Sequence, residues 1–234
     1  MTGRAGEGRV VVVTGANRGL GLEVARQCAE RGDMVVLGSR DPAAGRRAAA
    51  DLGDDVLPVA LDVTDTDGLA AAAADVDHTV GRVDVLVNNA AIHYDTWQNA
   101  VDVDLAVVRE ALDTNVLGAW QATLAFLPLL RRSAHPRVVM VSSEGGSLAS
   151  MNGGVPAYAV SKAALNALTR TLAGDLRRHG VLVNAVCPGW IATDMGGPGG
   201  RPVEDGAASV MWAVRIGDDG PTGGFFRDGR QIDW

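Results

Sequence analysis

Short apolar runs alternate along the chain with longer, alanine-rich segments that carry an apolar stripe. The first run, residues 9–14 (RVVVVT), is uninterrupted, as expected of a strand buried on both faces of a parallel sheet. Comparable runs predict further strands at 34–38, 56–61, 83–87, 137–141, 181–186 and 223–226. The segments between them predict helices at about 20–31, 42–52, 66–80, 105–130, 157–179 and 202–214, with a bend in the 105–130 segment near Gly118 or Pro128. This alternation predicts an α/β fold in a single domain over residues 1–234: a doubly wound parallel sheet of about seven strands with helices on both faces.

Composition narrows the functional classes. The formal net charge is −7 and no basic block stands out, which argues against nucleic acid and anionic membranes as partners. The N-terminus has no apolar signal-peptide core and no apolar run reaches membrane-spanning length, so we expect a cytoplasmic protein. The two cysteines and four histidines are scattered, which predicts neither a disulfide framework nor a metal site.

A glycine-rich turn, TGANRGLG at residues 14–21, follows the first strand and opens the first helix. Gly15 permits a tight turn, Gly19 lets the backbone approach a pyrophosphate, and Gly21 allows the helix to pack against the strand. The phosphates would lie at the positive end of the helix dipole. We therefore expect a dinucleotide here, held by residues Gly15, Asn17, Arg18, Gly19, Leu20 and Gly21.

The end of the second strand decides which dinucleotide binds. NAD-binding chains usually carry an acidic residue about 20 residues beyond the glycines, whereas this chain has Ser39 followed by Arg40. Arg40, with Arg18, can form charge-assisted bonds to a 2′-phosphate, although both could also be solvated surface charges. The nearby acidic residue, Asp41, is followed by Pro42, a pair typical of a helix N-cap and the first helical position. The pattern favours NADP (NADPH) over NAD.

Other strand ends supply further candidate contacts to the dinucleotide. Asp62, followed by Val63, could accept from an adenine amino group or cap the next helix, a role that suits Asp65 better. Asn89 can tie strand ends together, and small residues beside it would let a ribose lie against the backbone. After the sixth strand, backbone groups would meet a nicotinamide amide, with a threonine hydroxyl nearby. The candidates in these two stretches are Asn89, Ala90, Ala91, Pro188, Gly189, Trp190, Ile191 and Thr193.

Tyr158 and Lys162 are four residues apart at the start of a predicted helix and so share one of its faces. A neighbouring ammonium favours a phenolate and would draw the Tyr158 pKa toward neutrality. A tyrosine tuned in this way can exchange a proton with a substrate oxygen near neutral pH.

Taken together and in order, these motifs resemble the short-chain dehydrogenase/reductase family, with its Rossmann-type fold. The elements that carry the resemblance are TGANRGLG, Asp62-Val63, NNAA at 88–91, TNVLG at 114–118, VSS at 141–143, YAVSK at 158–162 and PGWIATDM at 188–195. The glycine spacing and the compact length are similar to the family's oxidoreductase branch. The segment PGWIATDMGGPGG and the C-terminal PTGGFFRDGRQIDW are similar to its carbonyl reductase-like subgroup, which typically uses NADPH.

The resemblance implies a mechanism. Tyr158 would be the acid/base, and Lys162 would lower its pKa and hold the nicotinamide ribose. Ser143 would bond the substrate carbonyl oxygen, and Asn115 would hold a water linking Lys162 to solvent, although an asparagine there can also be structural. The loop between serine and tyrosine is longer than usual in the family, so Ser147 is a rival to Ser143.

A further set of apolar and aromatic residues is a candidate lining for the substrate pocket, which suits a hydrophobic or ring-containing carbonyl compound: His93, Tyr94, Trp97, Met151, Trp190 and Met195. The flexible loop at 196–200 replaces the substrate lid of many relatives, which suggests an open site. The leading hypothesis is NADPH-dependent reduction of a ketone or aldehyde. Its alternatives are a secondary-alcohol dehydrogenase and a non-catalytic cofactor-binding protein, and the resemblance is compatible with a monomer or a homodimer.

Overall fold

The computed structural model describes residues 8–234 of the chain. Residues 1–7 lie outside that part, and with them most of the N-terminal stretch predicted to lack a signal peptide. The strands are β1 (Val10–Val13), β2 (Met34–Ser39), β3 (Val56–Ala60), β4 (Val85–Asn88), β5 (Arg137–Val141), β6 (Leu182–Val186), β7 (Phe225–Arg227) and β8 (Arg230–Gln231). The helices are α1 (Gly19–Ala29), α2 (Pro42–Ala50), α3 (Thr66–Thr79), α4 (Leu105–Leu112), α5 (Ala119–Leu130), α6 (Pro156–Leu176) and α7 (Val203–Arg215).

The eight strands found within residues 8–234 form one sheet in the order β3-β2-β1-β4-β5-β6-β7-β8. The first seven are parallel, and β8 pairs antiparallel with β7. The predicted sheet is thus confirmed. The prediction of about seven strands missed β8, because two residues are too short to show a period.

The valine run of β1 explains how the two helical layers attach. Val10 and Val12 belong to one buried cluster, with side chains of α3, α5 and α6. Val11 and Val13 belong to the other, with side chains of α1, α2 and α7. Burial on both faces is what the uninterrupted apolar run predicts.

The predicted helix over 105–130 is divided into three parts. Between α4 and α5, a π-helical turn spans Asp113–Gly118. Gly118 packs tightly there, because an added Cβ would lie 2.6 Å from Val63 Cγ2. The irregularity therefore occurs at Gly118, whereas Pro128 lies inside α5.

The strand order reverses at β1, which pairs with β2 on one side and β4 on the other. The chain segments that leave β1 and β4 turn to opposite faces of the sheet, and a crevice opens between them at the carboxyl ends of the strands. Within residues 8–234, no helix is both long and apolar enough to cross a bilayer. The same residues contain no group of three or more His, Cys, Asp or Glu side chains arranged to hold a metal ion.

Candidate active site

A cavity of about 640 Å³ opens at the carboxyl ends of the strands. All but one of the residues predicted to contact the dinucleotide line it: Gly15, Asn17, Arg18, Gly19, Leu20, Gly21, Arg40, Asp62, Val63, Asn89, Ala90, Ala91, Tyr158, Lys162, Pro188, Gly189, Trp190, Ile191 and Thr193. The exception is Ser39. The fold therefore brings together motifs that are spread over 179 positions, from residue 15 to residue 193.

The glycine turn leaves the start of α1 free to receive an anion. Gly15 and Gly19 have φ values of +64° and +55°, in the left-handed region that glycine tolerates. Helix α1 has no side-chain cap and no acidic residue in its first turn. By contrast, α2, α3 and α4 are capped by Asp41, Asp65 and Asp104. The uncapped amides and the helix dipole of α1 suit a phosphate, so the residues present fit a dinucleotide.

Asn89 fastens this turn to β4, as predicted. Its Nδ2 donates to the carbonyl oxygens of Thr14 (2.9 Å) and Gly15 (3.1 Å). In return, Thr14 Oγ1 accepts from the backbone amides of Asn89 and Ala90, each at 3.0 Å. Sequence reasoning did not single out Thr14, because a threonine at a strand end has no distinctive signature.

The two candidates at the end of β2, Ser39 and Arg40, face in different directions. Ser39 is buried and its hydroxyl donates to the Asp41 carbonyl oxygen (2.8 Å), so it turns away from the cavity. Arg40 is exposed and lines the cavity. The Asp41 carboxylate accepts from the amides of Ala43 and Ala44, which confirms its predicted capping role.

Two other charged residues at this end have partners within the protein. Arg18 forms an exposed ion pair with Asp194 across the cavity mouth (2.9 Å). The Asp62 carboxylate accepts from the backbone amide and hydroxyl of Thr64. Asp65 caps α3, the role that the sequence favoured for it.

Tyr158 and Lys162 lie on the same side of α6 and both reach the cavity. Lys162 Nζ is 5.5 Å from the centroid of the Tyr158 ring. The ammonium donates to the Val141 carbonyl oxygen at 2.8 Å, so the end of β5 fixes its position. The arrangement sets a phenol and an ammonium side by side on the cavity wall.

The predicted lowering of the Tyr158 pKa is not what this structure contains. Burial raises the pKa of Tyr158 to about 12, although the neighbouring Ser143 hydroxyl acts in the opposite direction. Burial also lowers the pKa of Lys162 to about 8. Desolvation penalises the charged form of each group, the phenolate of Tyr158 and the ammonium of Lys162.

The two candidate serines have different surroundings. Ser143 lines the cavity, and its Oγ accepts from the Gly145 amide (3.1 Å) in the turn that follows β5. Ser147 is buried and donates to the Asp233 carbonyl oxygen (2.9 Å) in the C-terminal tail. Of the two candidates, Ser143 is therefore the serine that faces the cavity.

The Asn115 side chain is bonded within the protein, as in the structural alternative left open by the sequence. It lies in the π-helical turn, is buried, and does not line the cavity, whereas its neighbour Thr114 does. Its Oδ1 accepts from the Ile92 amide (2.8 Å), and its Nδ2 donates to the Ile92 carbonyl (3.1 Å) and Ser161 Oγ (2.9 Å). These bonds occupy the side-chain amide and join the loop after β4 to helix α6.

The six residues predicted to line the substrate pocket divide into two sets of three. Tyr94, Trp190 and Met195 line the cavity. His93, Trp97 and Met151 do not. His93 instead contacts Glu110 (2.7 Å), and the Trp97 side chain is 66% exposed. The loop containing Met151 runs toward the C-terminal tail, where the Ala149 amide bonds the Trp234 carbonyl.

The glycine-rich loop beyond β6 contains no helix and closes on Trp190. Trp190 Nε1 donates to the Gly196 carbonyl (2.7 Å), and residues Ile191 and Arg201 form an isolated β-bridge. The loop expected to be flexible is thus held at both ends. Sequence reasoning missed several lining residues, among them Glu144 and Cys187. For Cys187, its position directly after β6 was the available signal.

Comparison with known proteins identifies the class. The sequence model of the short chain dehydrogenase family matches residues 9–201 of this chain. Galactitol 2-dehydrogenase (L-tagatose-forming) of Cereibacter sphaeroides is 36% identical over 190 residues, which cover 81% of this chain and 74% of that protein. The (+)-neomenthol dehydrogenase of Arabidopsis thaliana is 33% identical, covering 93% of this chain and 95% of that protein. The NADPH-bound carbonyl reductase from chicken fatty liver superimposes with a TM-score of 0.89 at 29% identity, covering 97% and 94% of the two chains.

The chain belongs to the short-chain dehydrogenase/reductase family. It is a carbonyl reductase-like member, an oxidoreductase that acts on alcohol or carbonyl groups of small molecules. The family's cofactor is NAD or NADP.

Proposed function

We propose that this protein is an NADPH-dependent reductase of ketones or aldehydes. The observation that carries the proposal is the meeting of Tyr158, Lys162 and Ser143 on one wall of the cavity whose other end is the uncapped start of α1. A bound nicotinamide would supply the hydride, which the protein side chains themselves lack.

The side chains then have separate tasks. Tyr158 donates the proton to the substrate oxygen, which the Ser143 hydroxyl also binds. The Lys162 ammonium, anchored by the Val141 carbonyl, stabilises negative charge that develops on the phenol. Asn115 supports this wall through Ser161, which lies on α6 between the tyrosine and the lysine. Because these hydrogen bonds occupy its side chain, Asn115 contributes by positioning the cavity wall that contains Tyr158 and Lys162.

NADP is the proposed cofactor, with NAD as the less favoured alternative. Exposed Arg40 on the cavity wall supports a 2′-phosphate contact, and Asp41, the nearest carboxylate in sequence, is engaged as a helix cap. The NADPH bound to the chicken carbonyl reductase agrees with this choice.

The substrate we propose is hydrophobic or contains a ring. Tyr94, Trp190 and Met195 give the cavity apolar and aromatic walls, and Tyr94 packs directly against Tyr158. Such walls favour flat or branched hydrocarbon groups. Trp190 is 59% exposed, which supports an open mouth that admits bulky compounds.

A second candidate is oxidation of a secondary alcohol by the same residues in reverse. It is favoured by relatives whose names describe dehydrogenation, such as the galactitol and neomenthol dehydrogenases. A non-catalytic cofactor-binding role is disfavoured, because serine, tyrosine and lysine are all present at the cavity.

We further propose that residues 1–234 act as one domain in the cytoplasm, as a monomer or homodimer. In a homodimer, the half-exposed Trp120 and Leu124 of α5 would supply apolar contact.

The test is a panel of carbonyl compounds and matching alcohols, assayed with each of the four cofactor forms by absorbance of the reduced nicotinamide. We expect the highest kcat/KM for a ring-containing ketone or aldehyde with NADPH. Faster turnover of alcohols with NADP would instead favour the second candidate. No turnover in any combination, despite measurable cofactor binding, would leave the non-catalytic alternative.

A further inference from the structure

The loop that follows β4 is attached to the wall containing Tyr158 at successive residues. Ile92 is held at its amide and carbonyl by Asn115. The Tyr94 ring packs edge-on against the Tyr158 ring, with centroids 5.2 Å apart and an interplanar angle of 86°. Asp95 follows directly and is fully buried. A carboxylate with no solvent exposure needs hydrogen-bond partners, and these reveal its task.

The closest partners of the Asp95 carboxylate are the first amides of helix α6, and Gln98 Nε2 from its own loop donates at 3.5 Å. Its carboxylate accepts from Ala157 N at 2.9 Å and from Tyr158 N at 3.0 Å. The local residue in the N-cap position, Val155, has no side chain able to cap and adopts φ +42°, an unfavourable angle for a β-branched residue. The cap is therefore supplied from a loop 62 and 63 positions away in sequence.

We propose that Asp95 is a positioning residue for Tyr158, and that it sets the direction in which the phenol enters the cavity by capping α6 from outside the helix. One of its two bonds is to the backbone nitrogen of Tyr158 itself, so a shift of the cap moves the phenol directly. The same anchor holds Tyr94 against the phenol ring. This inference rests on the proposed function, since it concerns the alignment of the proposed proton donor.

The test compares Asp95→Ala and Asp95→Asn with Asp65→Ala, which removes an exposed aspartate cap from the distant helix α3. We expect Asp95→Ala to lower kcat on the order of tenfold to a hundredfold, because small misplacements of a reacting group are costly. Asp95→Asn keeps one acceptor oxygen and should lose less. The Kd for NADPH should stay near that of the parent in all three variants, which separates alignment from cofactor binding.

A second readout does not require turnover. The chain has two tyrosines, and both belong to this contact. Fluorotyrosine-labelled protein should therefore give two fluorine NMR signals, which a Tyr94→Phe variant assigns. We expect the Tyr158 signal to move or broaden in Asp95→Ala and, to a smaller extent, in Asp95→Asn, and to stay unchanged in Asp65→Ala.

Unchanged kcat together with an unchanged Tyr158 signal in Asp95→Asn and Asp95→Ala would overturn the proposal. If Asp95→Ala does not fold, Asp95→Asn alone decides by the same two measurements. If the parent protein turns over no carbonyl compound, the proposed function fails, whereas the fluorine signals still decide whether Asp95 orients Tyr158.

Discussion

Replacing Gly21 by alanine tests the junction between the glycine turn and the sheet. A Cβ on Gly21 would lie 2.4 Å from Asn89 Nδ2, 2.6 Å from the Gly15 carbonyl oxygen and 3.0 Å from Ala16 Cα. Two of these three atoms belong to the backbone of the turn, and the third is the amide that binds it. The added methyl group must therefore displace either the turn or the Asn89 side chain.

The cost follows from what is displaced. Inserting a methyl group into a packed contact costs about 1–3 kcal/mol. Moving Asn89 also weakens its bonds to Thr14 and Gly15, each worth about 1 kcal/mol. Alanine returns up to about 1 kcal/mol of helix propensity, less near a helix end. We expect a net loss of about 2 kcal/mol in the free energy of unfolding.

The measurement is urea denaturation, with Gly174→Ala as the matched control. Gly174 is also in a helix, α6, but has no atom within 4 Å of an added Cβ, so alanine there should stabilise by about 0.4–1 kcal/mol. The NADPH Kd should rise in Gly21→Ala and stay constant in Gly174→Ala. Equal stability and equal Kd in Gly21→Ala and the parent would refute the proposed close packing of the turn.

Three further predictions concern the cavity wall. Burial lowers the pKa of Lys162 from 10.5 in the unfolded chain to about 8 in the folded protein. Between these pH values the unfolded chain holds a proton that the folded protein has lost. The contribution of Lys162 to the free energy of unfolding therefore rises with pH across this window and is lowest below it. Lys162→Met should therefore raise the free energy of unfolding at neutral pH by about 1–2 kcal/mol and abolish the rise in stability with pH that Lys162 causes. Denaturation from pH 7 to 10 measures both effects, and a variant less stable than the parent at neutral pH would contradict the prediction. Ser143→Ala should lower kcat by about a hundredfold, whereas Ser147→Ala should keep kcat and lose about 1 kcal/mol of stability; the reverse pattern in kinetics and denaturation would reinstate Ser147. Arg40→Ala should raise KM for NADPH and leave KM for NADH unchanged, whereas Arg46→Ala, on the exposed side of α2, should change neither; parallel effects on both cofactors would refute the 2′-phosphate contact.

Local signals in the sequence were sufficient for most of the sheet and for the dinucleotide end of the cavity. The valine run of β1 has few alternatives to a doubly buried strand, and Gly15 and Gly19 occupy backbone angles that favour glycine. Asp41 and Asp65 were recognisable as caps, because capping depends on neighbours two or three residues away.

The features that sequence reasoning missed depend on distant partners. Asp95 caps a helix more than 60 residues away, and Asn115 bonds Ile92 and Ser161. Ser39 faces inward because its hydroxyl finds the Asp41 carbonyl, which no periodicity reveals. The pKa values of Tyr158 and Lys162 are set by burial, a property of the assembled fold.

The proposed reaction depends most on Tyr158 as the proton donor, and Tyr158→Phe tests this role most directly. The phenyl ring keeps the packing against Tyr94 and removes the hydroxyl alone. With the best carbonyl substrate and NADPH, we predict that kcat falls by about a hundredfold to ten-thousandfold, while the NADPH Kd stays at the parent value. Turnover by Tyr158→Phe at the parent rate, with the same substrate and cofactor, would contradict the central claim.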